Sequence, residues 1–293
     1  MSDMLAMLMG LENSGAVRED YVRAPFGYPG AKDRSLKEIL PHLPYRVGYC
    51  EPFGGTGAVL LARHESKLEV FNDRYAGVVA FYRCVRDPAK IHQLVDRLQL
   101  ILHSREEFIW CRETWENCED DVERAARWYY MTAVSFGQQG RHFGRSVRTL
   151  SQIGPKLVRN LELFAGVHNR MKCVQVENLD WRHCLKDFDC EDMVWYMDPT
   201  YYEYSKGMYM HEMTKADHKE MLERIQYLRG FVALSGYDNE LYNSYPWDEK
   251  YEWRVHNSAL GLAFTDTNNL AGKERELTRG YSTEVLWIKK NHS

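Results

Sequence analysis

Two short stretches of this 293-residue chain set chemistry-bearing side chains beside turn residues. The first is Met197-Asp198-Pro199-Thr200-Tyr201-Tyr202, which follows the apolar run Met193-Val194-Trp195-Tyr196. A short apolar run ending in a turn signal predicts a buried strand. A carboxylate, a rigid proline and two aromatic rings therefore stand where strand gives way to loop. In open α/β sheets, ligands bind at the carboxyl ends of strands. A carboxylate there can accept hydrogen bonds from an amine, and the rings can stack on a flat base, which suits chemistry on an extruded nucleobase. An ordinary strand-to-turn exit uses the same residues, since Asp-Pro is common turn material. A second stretch, Glu51-Pro52-Phe53-Gly54-Gly55-Thr56-Gly57, shifts the balance towards chemistry. It lies between the apolar Val47-Gly48-Tyr49-Cys50 and the helix-like Ala58-Val59-Leu60-Leu61-Ala62. Strand, glycine turn and helix make a nucleotide-cofactor grip, because glycines let the backbone approach a ligand that the helix amino end faces. The spacing is not that of the dinucleotide fingerprint, since Ala58 to Leu60 hold no third glycine. The next strand-like run, Leu68-Glu69-Val70-Phe71, ends in Asn72-Asp73, where an acid would hold a ribose diol.

These motifs, in this order, resemble the adenine-specific DNA methyltransferases of the Dam type. Tyr28-Pro29-Gly30-Ala31-Lys32 matches that family's Tyr/Trp-x-Gly-x-Lys, and Glu51 to Gly57 matches Glu-Pro-Phe-x-Gly-x-Gly. Asn72-Asp73 matches its Asn/Ser-Asp, and Asp198-Pro199-Thr200-Tyr201 stands in the place of Asp-Pro-Pro-Tyr. Thr200 is the one departure, a residue that restores a backbone N–H and relaxes the restriction on Pro199. The resemblance implies an enzyme that moves methyl from S-adenosylmethionine to the exocyclic amine of adenine, with no metal. It implies cofactor contacts from Tyr28, Lys32, Glu51, Phe53, Gly55, Gly57, Asp73, Asp180 and Asp198. For Asp180, a helix N-cap role before Trp181 is an equal reading. Asp198 and the Pro199 carbonyl would accept the amino hydrogens, while Tyr201 would stack on the flipped base. Related readings keep the same carboxylate logic: methylation of the cytosine amine or of RNA adenine, or a silent relative that binds DNA or the cofactor without turnover. Methylation at cytosine carbon 5 is disfavoured, because no cysteine here adjoins a proline.

Composition sets broad bounds. The chain has 44% hydrophobic and 27% charged residues, the mix of a soluble globular protein. No apolar run nears the ~18 residues of a membrane span. Seven scattered cysteines without C-x-x-C spacing point to a reducing cytoplasm rather than to disulfides or zinc. A net charge of −4 disfavours a nucleic-acid partner until its distribution is read. Acids crowd residues 106–123, whereas residues 124–161 hold none and carry seven Arg or Lys. A long acid-free basic segment is the footprint of a phosphate-facing surface. Within it, the glycine-rich run from Phe136 to Arg148 reads as a loop that engages double-stranded DNA through Gln138, Gln139, Arg141, Arg145 and Arg148. The protein is expected to act as a monomer.

Periodicity supplies the elements that must position these residues. Strands are predicted over 47–50, 68–72, 172–176, 193–197, 231–235, 251–255 and 284–288, and helices over 57–64, 75–86, 88–102, 104–116, 120–136, 151–170 and 214–228. Their alternation predicts an α/β fold with a mixed, mostly parallel sheet, the Rossmann-like methyltransferase arrangement that the resemblance implies. The helical block 84–170 breaks the alternation and is read as an inserted target-recognition domain, with 1–83 and 171–293 forming the catalytic domain. Residues 258–280, rich in Gly, Asn, Thr and Lys, are expected to form a loop.

Overall fold

The computed structural model describes residues 21–28, 30–144, 159–202, 211–256 and 281–290, and its strands assemble into one seven-stranded sheet. In chain order they are β1 (Gly48–Glu51), β2 (Leu68–Asn72), β3 (Gln175–Glu177), β4 (Met193–Met197), β5 (Phe231–Tyr237), β6 (Glu249–His256) and β7 (Tyr281–Lys289). Across the sheet the order is β3-β2-β1-β4-β5-β7-β6. Pairs from β3 through β5 are parallel, and β7 runs antiparallel to both β5 and β6. The mixed, mostly parallel α/β sheet expected from the sequence is the one observed.

The central strands read as continuous apolar runs because helices cover both their faces. Every residue of β1 and β4 is buried. Tyr49, Phe71, Val194, Tyr196 and Ala233 pack on one side, while Cys50, Val70, Trp195, Met197 and Val232 pack on the other. Each large side chain so buried contributes roughly 1.5–3 kcal/mol against the entropy of ordering the chain.

The helices are α1 (Leu36–Ile39), α2 (Ala58–Ala62), α3 (Ala76–Arg86), α4 (Pro88–Gln99), α5 (Arg105–Thr114), α6 (Asp121–Val134), α7 (Phe164–Met171), α8 (Trp181–Phe188), α9 (Lys215–Ile225) and α10 (Glu240–Asn243). Six of them, α4, α5, α6, α8, α9 and α10, start at side-chain caps that satisfy free amides of the first turn. Asp87 caps α4, with Pro88 at its first position, Ser104 caps α5, and Asp120 caps α6. The buried side of α6 packs on α3, α4 and α5, so the helical block runs on into the core above Tyr49 and Phe71. The second core lies under α8 and α9, around Trp195 and Trp287.

Boundaries move where a turn intervenes. The helix expected over 57–64 ends at Ala62, because Arg63 adopts an extended backbone and reaches Glu69 at 3.0 Å. The strand expected over 172–176 begins only at Gln175, after Val174 closes a turn onto the Met171 carbonyl. Residues 151–158 of the helix expected over 151–170 and the whole 258–280 loop lie outside the described residues, while α7 covers the end of that helix. The strand order reverses between β1 and β4, which opens a crevice at their carboxyl ends. Glu51 closes β1, Asp73 follows β2, and Asp198 follows β4.

Candidate active site

A cavity of about 790 Å³, including its open mouth, lies at this crevice. The glycine turn forms one wall. Gly54 donates to the Asn72 carbonyl at 2.7 Å, and a side chain on it would strike the Phe71 ring. Gly55 adopts a left-handed φ of +51°, with open space where its side chain would begin, so bare backbone faces the cavity. Its N–H donates to Asp73 Oδ2 at 2.7 Å, while the Tyr75 N–H donates to Asp73 Oδ1 at 2.7 Å. Asp73 therefore holds the turn and still has acceptor capacity towards the cavity. Burial raises its carboxyl above the ordinary value, against the two amide bonds that lower it. Asn72 braces the turn from behind through the Pro52 and Leu179 carbonyls.

The acid after β4 lines the same cavity. Lys32 Nζ lies 2.7 Å from both carboxylate oxygens of Asp198. It also donates to the Tyr201 hydroxyl at 2.9 Å and to the Gly30 carbonyl at 3.0 Å. Ser235 Oγ donates to Asp198 Oδ1 at 2.9 Å and meets the Tyr196 hydroxyl at 3.0 Å. Tyr201 donates onward to Glu284 at 3.0 Å, and Ser35 donates to the same carboxylate at 3.2 Å. The Lys32 side chain is 3% exposed and that of Asp198 is 19% exposed, so the carboxylate keeps an open edge while its counter-ion does not. Burial lowers the Lys32 pKa, but the Asp198 and Glu284 carboxylates outweigh it and leave the ammonium raised. Burial likewise lifts the Asp198 carboxyl, opposed chiefly by the Lys32 charge. Glu51, beneath the glycine turn, is pushed up to about 8 by burial, although the Tyr49 hydroxyl donates to it at 2.6 Å.

The residues singled out from sequence divide by location. Tyr28 and Lys32 line the cavity from the amino-terminal loop, with Glu51, Phe53 and Gly55 from the first turn, then Asp73, Asp198 and Pro199. Gly57 sits behind them at a φ of +65°, capping α2. Tyr201 is buried, its ring stacked on Tyr237 at 4.2 Å between centroids and 24° between planes. Asp180 is not among the lining residues. It caps α8 by accepting from the Arg182 N–H, and it pairs with Arg74, which does line the cavity. Residues not chosen from sequence also belong to the site, among them Tyr196, Ser235, Glu284 and the cavity-lining His211. Glu284 carries a readable signal, a lone acid within the apolar strand β7.

Gln138, Gln139 and Arg141 lie on a tight loop after α6, closed by a bridge between Ser135 and Phe143. Gly137 and Gln138 there take left-handed φ values of 64° and 57°. The Gln138 amide packs in against Gly27, whereas Phe136 is 63% exposed. Arg141 is close enough to Tyr75, on the cavity rim, to lower its hydroxyl pKa, which burial foremost pushes up to about 12. Arg145 and Arg148 lie outside the described residues.

Sheet order, glycine turn and the acid after β4 together define a Rossmann-like methyltransferase. The family model for D12 class N6 adenine-specific DNA methyltransferases matches residues 28–255, and the chain belongs to that family. It is thus an enzyme of adenine N6 methylation in DNA. None of the curated proteins matches the chain. Among the described residues, no helix is long and apolar enough to cross a membrane, and no group of three or more His, Cys, Asp or Glu is placed to hold a metal ion.

Proposed function

We propose that the protein transfers methyl from S-adenosylmethionine to the N6 amine of an adenine turned out of duplex DNA into the cavity. The observation that carries this reading is the Asp198 carboxylate, fixed by Lys32 and Ser235, opening on the same cavity as Gly55 and Asp73. The cavity residues suit the donor: bare glycine backbone, an acid after β2 for ribose hydroxyls, and the rings of Phe53 and Tyr75 for a purine. Tyr28, Lys32, Glu51, Phe53, Gly55 and Asp73 would hold it. When bound, the donor supplies an electrophilic methyl on a sulfonium sulfur.

The adenine amine is a weak nucleophile because its lone pair is delocalised into the ring. Asp198 and the Pro199 carbonyl accept hydrogen bonds from its two N–H groups and draw the nitrogen towards tetrahedral geometry, and the proton that the amine sheds on methylation leaves by way of Asp198 to solvent. A carboxylate has about four acceptor positions, so Asp198 can serve the amine while it keeps bonds from Lys32 and Ser235. The Lys32 ammonium maintains the carboxylate form against burial, and fixed geometry supplies most of the acceleration. For Tyr201 to stack on the base, Tyr237 must leave its ring or the base must take the other face. The helical block 84–170 serves as the recognition insert, with Phe136 and Arg141 towards the duplex.

The test is nucleoside analysis of duplex DNA incubated with labelled donor. The expected product is N6-methyladenine, with the rate falling at least ~10²-fold in Asp198→Asn while donor binding persists. Label recovered in cytosine, or an Asp198→Asn variant as fast as the parent, refutes this reading.

A further inference from the structure

Thr200 and His211 have a connection that neither the acid nor the glycine turn explains. The Thr200 hydroxyl oxygen accepts a hydrogen bond from the Met213 N–H at 3.0 Å. Proline at position 200 would have no such acceptor. The next residue, Thr214, is fixed independently by a reciprocal capping box with Asp217 at the start of α9. Asp217 also pairs with Arg182 at 2.5 Å, and Arg182 pairs with Asp180, the partner of Arg74 on the cavity rim. The backbone at 213–214 is thus pinned from two directions, and His211 stands two residues before it. His211 lines the cavity, its ring edge-on to Tyr75 at 6.0 Å between centroids. It is near enough to Asp73 to act on that carboxyl's charge. His211 therefore lies at the part of the cavity formed by Asp73 and Tyr75.

We infer that His211 is a binding residue for the nucleoside portion of the methyl donor, and that Thr200 is its positioning residue. The inference rests on the donor reading given under Proposed function. An imidazole opposite Asp73 and Tyr75 offers both a polar nitrogen and a ring face to a ribose or purine. Thr200 connects that contact to the strand end bearing Asp198, so one turn after β4 serves acceptor and donor sites together.

Calorimetric titration of the parent and its variants tests this with two ligands, S-adenosylhomocysteine and 5′-methylthioadenosine, which lacks the amino-acid portion. His211 is exposed, so His211→Ala should fold as the parent does. It is expected to weaken both ligands by the same factor, about three- to tenfold, the loss of one hydrogen bond. Thr200→Val, which keeps the shape but not the acceptor, should weaken both less strongly, and Thr200→Ser should restore them. A His211→Ala variant that binds both ligands as the parent does overturns the assignment. So does one weakened only towards S-adenosylhomocysteine, since that places the contact at the amino-acid end. An unaffected Thr200→Val, or a defect that Thr200→Ser leaves in place, overturns the positioning role. A parent that binds neither ligand overturns the donor reading itself, and this inference with it.

Discussion

Replacing Lys32 by methionine removes an ammonium while keeping most of its stem, and the structure says what should follow. Four acceptor atoms lie within hydrogen-bond reach of the three N–H groups on that nitrogen: both Asp198 oxygens at 2.7 Å, the Tyr201 hydroxyl at 2.9 Å and the Gly30 carbonyl at 3.0 Å. Losing these contacts leaves Asp198 and the buried Glu284 without the cation they share. Removing one partner of a buried pair costs about 3–5 kcal/mol, because the remaining charge is uncompensated. Lys32→Met should lose stability of that order near neutral pH. The cost should also depend on pH. Burial already raises the Asp198 carboxyl, and losing the Lys32 charge raises it further. A carboxyl raised above its unfolded value holds a proton that the unfolded chain releases, so stability falls as pH rises between the two values. Each added unit contributes about 1.4 kcal/mol to the variant's deficit at high pH. Lys32 itself, raised above an unfolded value near ~10.4, keeps its full contribution below that pH and adds no slope from pH 5 to 9. Urea denaturation of parent and variant at pH 5, 7 and 9 reads the difference directly. At pH 7 methylation should fall at least ~10²-fold, since Asp198 loses the cation that fixes its carboxylate as an acceptor. A deficit below ~1 kcal/mol, or one equal at pH 5 and 9, shows that Lys32 does not hold the carboxylate.

Three further outcomes are expected. Asp73→Ala removes the acceptor for both the Gly55 and Tyr75 amides, and donor affinity measured by calorimetry should drop about ten- to hundredfold; a dissociation constant within twofold of the parent's removes Asp73 from the site. Glu51, raised from 4.5 to about 8, holds a proton when folded that it releases on unfolding, so the parent should lose roughly 3 kcal/mol between pH 4.5 and 7. Glu51→Gln lacks that slope and should gain on the parent as pH rises; denaturation curves with a constant difference contradict the buried acid. Arg141→Ala should weaken specific and scrambled duplexes alike and reduce the slope of log affinity against log salt by about one, whereas an unchanged slope takes Arg141 off the phosphate backbone.

The parts of the site that sequence reveals are those made by neighbours along the chain. Gly54, Gly55 and Asp198 are legible because a turn residue after an apolar run is a local signal. Asp73 is legible for the same reason, although its bond to the Gly55 amide, 18 residues upstream, is not. What period and spacing cannot supply is the partner across the sheet, which depends on strand order and register. Lys32 meets Asp198 from 166 positions away, while Ser235, on the strand beside β4, reaches it only because β4 and β5 pair in parallel. Glu284 shows in the sequence only as a lone acid in an apolar strand, with no sign of its partners. It becomes part of the site because β7 inserts between β5 and β6 and sets it opposite Tyr237. That insertion has a chemical consequence. Two carboxylates, the partly exposed Asp198 and the buried Glu284, now face one ammonium, and the Tyr201 hydroxyl lies between that ammonium and Glu284. Moving Tyr201 to admit a base would therefore alter how Lys32 divides its charge between the two acids. Lys32 contacts both Asp198 and Tyr201, so if these are the amine acceptor and the base-stacking ring, as proposed, the site's acid-base state and its stacking surface would change together.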